Sequence, residues 1–177
     1  MASEFPKIAA AIALPQIGAL VNTYLILPEV RGWYQRVVCK IFLPHDFAFP
    51  PMWAALHAGA GYASYLVWKE GGGFSGAAKG PLILYGTQLA LNWAWTPIFF
   101  KLRSFKWSFV ESLAAVGATA ATGYAFHSMN KTAGYWFLPY LAGCLYFSML
   151  NFDFYYTRQE SNLFSETTGE EIKKESE

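Results

Sequence analysis

Apolar residues fall in five long runs along the chain, separated by short polar connections. The runs cover residues 5–27, 48–68, 81–100, 107–127 and 135–156. A helix needs about 20 mostly apolar residues to cross roughly 30 Å of hydrocarbon, and all five are long enough. Inside the first run only Lys7, Gln16 and Asn22 interrupt the apolar character. The second and fourth runs are continuous apolar and small residues, without the period-two alternation of a membrane barrel. The pattern predicts an all-α membrane protein, a bundle of five transmembrane helices in a single domain over residues 1–158.

The connections add detail. Residues 28–47 form a 20-residue loop with charges, prolines and aromatics, and structureless loops of that length are usually functional or disordered. The connection at 69–80 contains Gly71, Gly72, Gly73 and Gly76; the one at 101–106 is tight and basic. Residues 159–177 turn polar and acidic and are expected to be a disordered tail. The first run is not expected to be a cleaved signal, since Glu4 and Pro15 interrupt the pattern and the cleavage site is poor.

Composition supports this reading. Of the 177 residues, 54% are hydrophobic, 19% aromatic and only 14% charged, against about 25% charged in soluble domains. The net charge of +1 gives no basic excess for neutralising phosphates, so no nucleic-acid partner is expected. Cys39 and Cys144 make no disulfide framework. Lys and Arg divide 4 against 9 between the two sides of the bundle, the richer side being that of the 28–47 loop and the carboxyl terminus. The positive-inside rule places that side in the cytosol.

Three spans carry polar or aromatic patterns. Tyr85, Gln88, Asn92 and Trp95 recur at steps of three and four and share one helix face. Unpaired amides facing lipid are costly, so this face points inward. Hydrogen bonding between helices is the simpler reading, and contact with a ligand is the alternative. In the fourth span Trp107, Glu111, Ala114, Ala118 and Ala121 make a second stripe. Glu111 is expected to pair at the interface with Lys101, Arg103 or Lys106. The fifth span aligns Trp136, Gly143, Phe147, Leu150 and Phe154. His57, among small residues of the second span, is expected to bond a neighbouring helix, and neither it nor His45 with Asp46 makes a metal site. No nucleophile elbow, phosphate loop or carboxylate pair is present, so no enzyme and no cofactor are expected. A nearly uncharged aromatic interior suits a flat apolar ligand.

Specific runs carry a family likeness. Gly61-Tyr62-Ala63-Ser64-Tyr65-Leu66-Val67-Trp68-Lys69-Glu70 with Gly72-Gly73-Phe74, and Gln88-Leu89-Ala90-Leu91-Asn92-Trp93-Ala94-Trp95 with Pro97-Ile98-Phe99-Phe100, resemble the translocator protein family. That family is also called the peripheral-type benzodiazepine receptor or tryptophan-rich sensory protein family. Trp33-Tyr34, Trp53, Trp107 and Leu150-Asn151 match as well. The resemblance implies a multi-pass protein of the mitochondrial outer membrane that binds cholesterol, porphyrins such as protoporphyrin, and benzodiazepine- or isoquinoline-type ligands. It implies transport or sensing of sterol or tetrapyrrole, with membrane lipids around it and a homodimer or outer-membrane proteins as partners. Carried over, Trp53, Asn92, Trp95, Trp107 and Leu150 line a ligand cavity beneath the first loop. Leu150, Tyr155 and Arg158 fit the spacing of the family's cholesterol motif, with Phe152 in place of its tyrosine. A cavity tryptophan of the family is Gly143 here and a nearby alanine is Phe147, which reshapes the cavity. Ile83 and Thr87 replace the glycines of its dimer motif. An alternative reading is an interaction scaffold with a vestigial cavity, its tail and basic loops recruiting partners.

Overall fold

A computed structural model describes residues 4–30 and 49–175, with side chains described at 4–30 and 50–157. Five long helices follow one another: α1 Phe5–Glu29, α2 Phe49–Glu70, α3 Lys79–Phe100, α4 Phe105–Met129 and α5 Lys131–Glu175, with a short 3₁₀ turn at Gly73–Ser75. At 1.5 Å per residue the first four are about 33–38 Å long, enough to cross the hydrocarbon. Each expected run became a helix within a few residues of its bounds, except that α5 runs on to Glu175.

Local chemistry fixes the turns. Gly72 and Gly73 adopt φ values of 73° and 75°, a left-handed backbone open to glycine without steric penalty. Ser104 caps α4 by accepting from the Trp107 backbone N–H at 3.4 Å. Asn130 joins α4 to α5 and serves three elements. Its backbone N–H closes α4 on Phe126, its Oδ1 accepts from Ala133 N–H at 2.9 Å, and its amide donates to Glu70 at the end of α2 at 2.5 Å. The start of α1 is pinned to the same end of α2: Glu4 accepts a hydrogen bond from the Tyr65 hydroxyl and pairs with Lys69 at 3.3 Å.

The bundle is apolar outside and more polar within. Leu14, Leu20, Tyr24, Ile83 and Met149 are more than half exposed, whereas Gln88, Ser108, Thr119, Thr122 and Asn151 are buried. In lipid this is the stable arrangement, because hydrocarbon solvates the apolar surface and only protein can satisfy the polar groups. Helices α4 and α5 pack most extensively, while α1 lies on α2 and, to a lesser extent, α3. At Gly61 a Cβ would stand 2.4 Å from the Ala11 carbonyl oxygen and 2.8 Å from Ile12 Cα, so only glycine lets α1 approach this closely.

Two expectations change. The stretch from 159, expected to be disordered, continues α5 as helix to Glu175. Its Glu, Gln, Leu and Lys residues are good helix formers, and Glu170 stands four residues before Lys174, the favourable order on a helix. In α4 the buried face is Ser108, Glu111, Ser112, Ala115, Thr119, Thr122 and Phe126, while Trp107, Ala114 and Ala121 of the expected stripe are exposed.

Candidate ligand cavity

The two halves of the bundle differ. Toward the 71–78 turn, Ala60, Ala63, Val67, Tyr85, Leu89, Phe126, Phe137 and Tyr140 form a solid core. Toward the other end, where α1 ends and α2 begins, the helices line a partly open cavity of about 840 Å³ whose wall draws on all five. This lies within the usual range of about 300–1,000 Å³ for small-molecule sites.

Helix α1 is held across the cavity by amides. Gln16 Nε2 donates to the Ala54 carbonyl at 2.6 Å, and Asn22 Nδ2 donates to the Trp93 carbonyl at 3.2 Å. The second bond has a cause in the sequence. The residue four beyond Trp93 is Pro97, which has no N–H to give that carbonyl, and Asn22 supplies the missing donor.

The wall is aromatic. Trp95 donates from Nε1 to Asn151 Oδ1 at 2.9 Å, while Asn151 Nδ2 donates to the Phe147 carbonyl at 2.8 Å. Trp95 stacks on Phe99 at 4.8 Å and meets the edge of Phe147 at 4.5 Å. Phe147 also meets Trp53 edge-on at 5.6 Å, so one ring bridges the two indoles. Such tilted and edge-to-face pairs each add about 0.5–1.5 kcal/mol beyond their area. Phe99, Phe100 and Phe154 cluster at the end of the bundle with Trp95 and Phe105. Above the cavity His57 Nδ1 donates to the Trp53 carbonyl at 2.9 Å, leaving Nε2 to accept from the Tyr140 hydroxyl of α5 at 3.4 Å.

Of the expected site residues, Trp53, Asn92, Trp95 and Leu150 line this cavity and Trp107 does not. Trp107 lies in the first turn of α4 and is 60% exposed, rotated past the edge of the buried face. The inward face of α3 is divided. Tyr85 and Gln88 belong to the solid half, while Asn92 and Trp95 belong to the cavity. Asn92 Nδ2 donates to the Gln88 carbonyl of its own helix at 3.1 Å. Leu150 faces the cavity, but Tyr155 stacks parallel to Phe109 of α4, rings 6.2 Å apart; the described part of the sterol motif is therefore split between two surroundings. The Arg158 side chain, Cys39, His45 with Asp46, Trp33-Tyr34 and the basic residues of the first loop lie outside the described residues. At Gly143 a Cβ would stand 2.8 Å from Leu56 Cδ1, so Leu56 crowds the place where the family has an indole. The ion pair expected for Glu111 is not formed among the described residues; both its carboxylate oxygens are buried without a hydrogen-bond partner. Beyond the expected residues, Asn22, Phe147 and Asn151 also line the cavity. A signal for Asn151 existed, as an amide in an apolar run four residues after Phe147.

Five membrane-crossing helices around an aromatic, weakly polar cavity define a multi-pass membrane protein with a site suited to an apolar ligand. The chain belongs to the TspO/MBR family, whose sequence pattern matches residues 11–157. It is 41% identical to the translocator protein of Ovis aries over 139 residues, covering 78% of this chain and 82% of the relative. It is 41% identical to that of Homo sapiens over 138 residues, with the same shares covered. The tryptophan-rich protein TspO of Archaeoglobus fulgidus is 30% identical over 149 residues, 84% of this chain and 94% of its own. None of these matches indicates a catalytic family.

Proposed function

We propose that the protein binds flat or rigid lipophilic molecules in this cavity, with cholesterol and protoporphyrin as its natural class of guest, and moves or senses them in the mitochondrial outer membrane. Benzodiazepine- and isoquinoline-type compounds are guests of the same chemistry. The observation that carries the reading is the walled space itself: about 840 Å³ with Trp53 and Trp95 as flat apolar faces. Indoles offer large apolar area with little side-chain entropy to lose, and the polar groups between them orient a guest without demanding a charge. The 4-to-9 division of Lys and Arg supports a cytosolic carboxyl terminus.

Competition binding on the purified protein tests the reading. Labelled cholesterol is displaced by an unlabelled isoquinoline ligand if both use this space, and Asn92→Ala weakens both. If neither cholesterol nor protoporphyrin binds saturably, the reading is wrong.

A further inference from the structure

Among the described residues the cavity wall contains one carboxyl group, and it is left unmatched there. Glu111 enters the wall from α4, roughly 9 Å inside the helix start at 1.5 Å per residue, and is only 8% exposed. Both of its oxygens are buried with no hydrogen-bond partner among the described residues. Neighbouring polar side chains are spent on the protein. Ser112 donates to the Phe109 carbonyl and lies 3.1 Å from Ser148 Oγ, Asn151 is used by Trp95 and Phe147, and Gln16 and Asn22 hold α1. No lysine or arginine is among the described residues of the wall. A buried carboxyl group without donors is strongly unfavourable, and the same group beside a cavity is an acceptor waiting for a donor. Ionised or neutral, a carboxyl group keeps acceptor lone pairs, so an N–H brought by an occupant satisfies either form, and a cationic one most strongly.

We infer that Glu111 is a specificity-determining residue that selects, among lipophilic guests, those with a protonated amine. This rests on the proposed reading of the cavity as a ligand site and adds a preference to it: guests without an amine still bind through their apolar body, and those with one bind more tightly. The aromatic rings of Trp53, Trp95 and Phe147 receive the flat apolar body, and the carboxylate receives the ammonium. Among the described residues of the wall the acidic side chain is Glu111 and the basic one is His57, whose Nδ1 is held on the Trp53 carbonyl, so a guest carboxylate placed beside Glu111 is disfavoured.

The test uses two probes of nearly the same size, 9-methylanthracene and 9-(aminomethyl)anthracene, titrated into the full chain in a neutral detergent at pH 7. Binding is read from energy transfer from tryptophan to anthracene. The wild type is expected to bind the amine about tenfold or more tightly, the scale of one charge-assisted hydrogen bond. Glu111→Gln keeps the side-chain shape and is expected to hold 9-methylanthracene as before while losing the preference; Glu111→Leu should lose it too. Equal affinities in the wild type, or a preference that survives in both variants, overturns the assignment while leaving the cavity as a binding site. If neither probe binds saturably to the wild type, the assignment and the reading of the cavity fail together.

Discussion

The indole of Trp95 donates to the side-chain oxygen of Asn151 across 2.9 Å, fixing a cavity ring on α3 to a buried amide on α5. Asn151 is 1% exposed, and its own amide is anchored on the Phe147 carbonyl. The orientation of one of the cavity's indole faces is therefore set by a group that contributes little surface to it. Replacing Asn151 by leucine leaves the indole N–H without its acceptor, a loss of about 1 kcal/mol in a membrane bundle. A double-mutant cycle with Trp95→Phe, read by thermal unfolding in detergent, should give a coupling of that size. Additive effects would show that the bond does not hold the ring.

A second prediction concerns the carbonyl that Pro97 leaves open. Asn22→Leu should destabilise the fold by about 0.5–1.5 kcal/mol, since the Trp93 carbonyl loses the side-chain donor that Asn22 supplies. Pro97→Ala restores an N–H four residues on, so Asn22→Leu should cost less in the Pro97→Ala background. Equal costs in both backgrounds, measured by the same unfolding assay, would contradict this origin.

Gly61 is a steric prediction. Its Cβ would sit 2.4 Å from the Ala11 carbonyl oxygen, a position real atoms do not tolerate. Gly61→Ala should force α1 away from α2 and cost about 1–3 kcal/mol, the usual scale of overpacking. Because α1 forms one side of the cavity, ligand affinity should fall with it. An unchanged unfolding temperature would contradict the close approach.

Acidity probes the other end of α1. The hydrogen bond from Tyr65, then the one from Lys69, hold the Glu4 carboxyl below its ordinary range. A carboxylate lowered on folding contributes stability that is fully present above its unfolded pKa, near 4.3. That contribution is lost as pH falls through the lower folded value. The unfolding temperature of the wild type should therefore drop on acidification below that point, and Glu4→Gln should flatten this part of the profile. Parallel profiles for the two proteins would contradict the pinning. Salt should shrink the difference, because the carboxylate is at the surface.

The membrane helices were legible because a span is defined by length and apolar content alone, and each run became a helix with little adjustment. The inward face of α3 was legible for a similar reason: Gln88 and Asn92 cannot face lipid, so spacing sufficed to orient Asn92 and Trp95. In α4 the stripe of small residues is not the inward face, because small apolar side chains are as well solvated by hydrocarbon as by protein. In hydrocarbon the inward face is instead the polar one, Ser108, Ser112, Thr119 and Thr122, about 100° round the helix from the stripe through Trp107, Ala114 and Ala121. That rotation explains both the exposed indole of Trp107 and the burial of Glu111, which sits at the edge of the polar face. The role of Asn151 needed the fold, since nothing local shows that its amide meets an indole 56 residues earlier. The continuation of α5 to Glu175 has no hydrophobic signature, because it rests on the helix propensity of charged and polar residues.

The central claim is that the space walled by Trp53 and Trp95, and not the surface at Trp107, receives the lipophilic guest. Equilibrium binding of protoporphyrin, followed through its Soret absorption, tests it on the wild type, Trp53→Ala, Trp95→Ala and Trp107→Ala. The account predicts saturable binding by the wild type and by Trp107→Ala with similar affinity, and at least tenfold weaker binding, about 1.4 kcal/mol, by each of the other two. Binding that survives loss of Trp53 and Trp95 but disappears with Trp107 would contradict it.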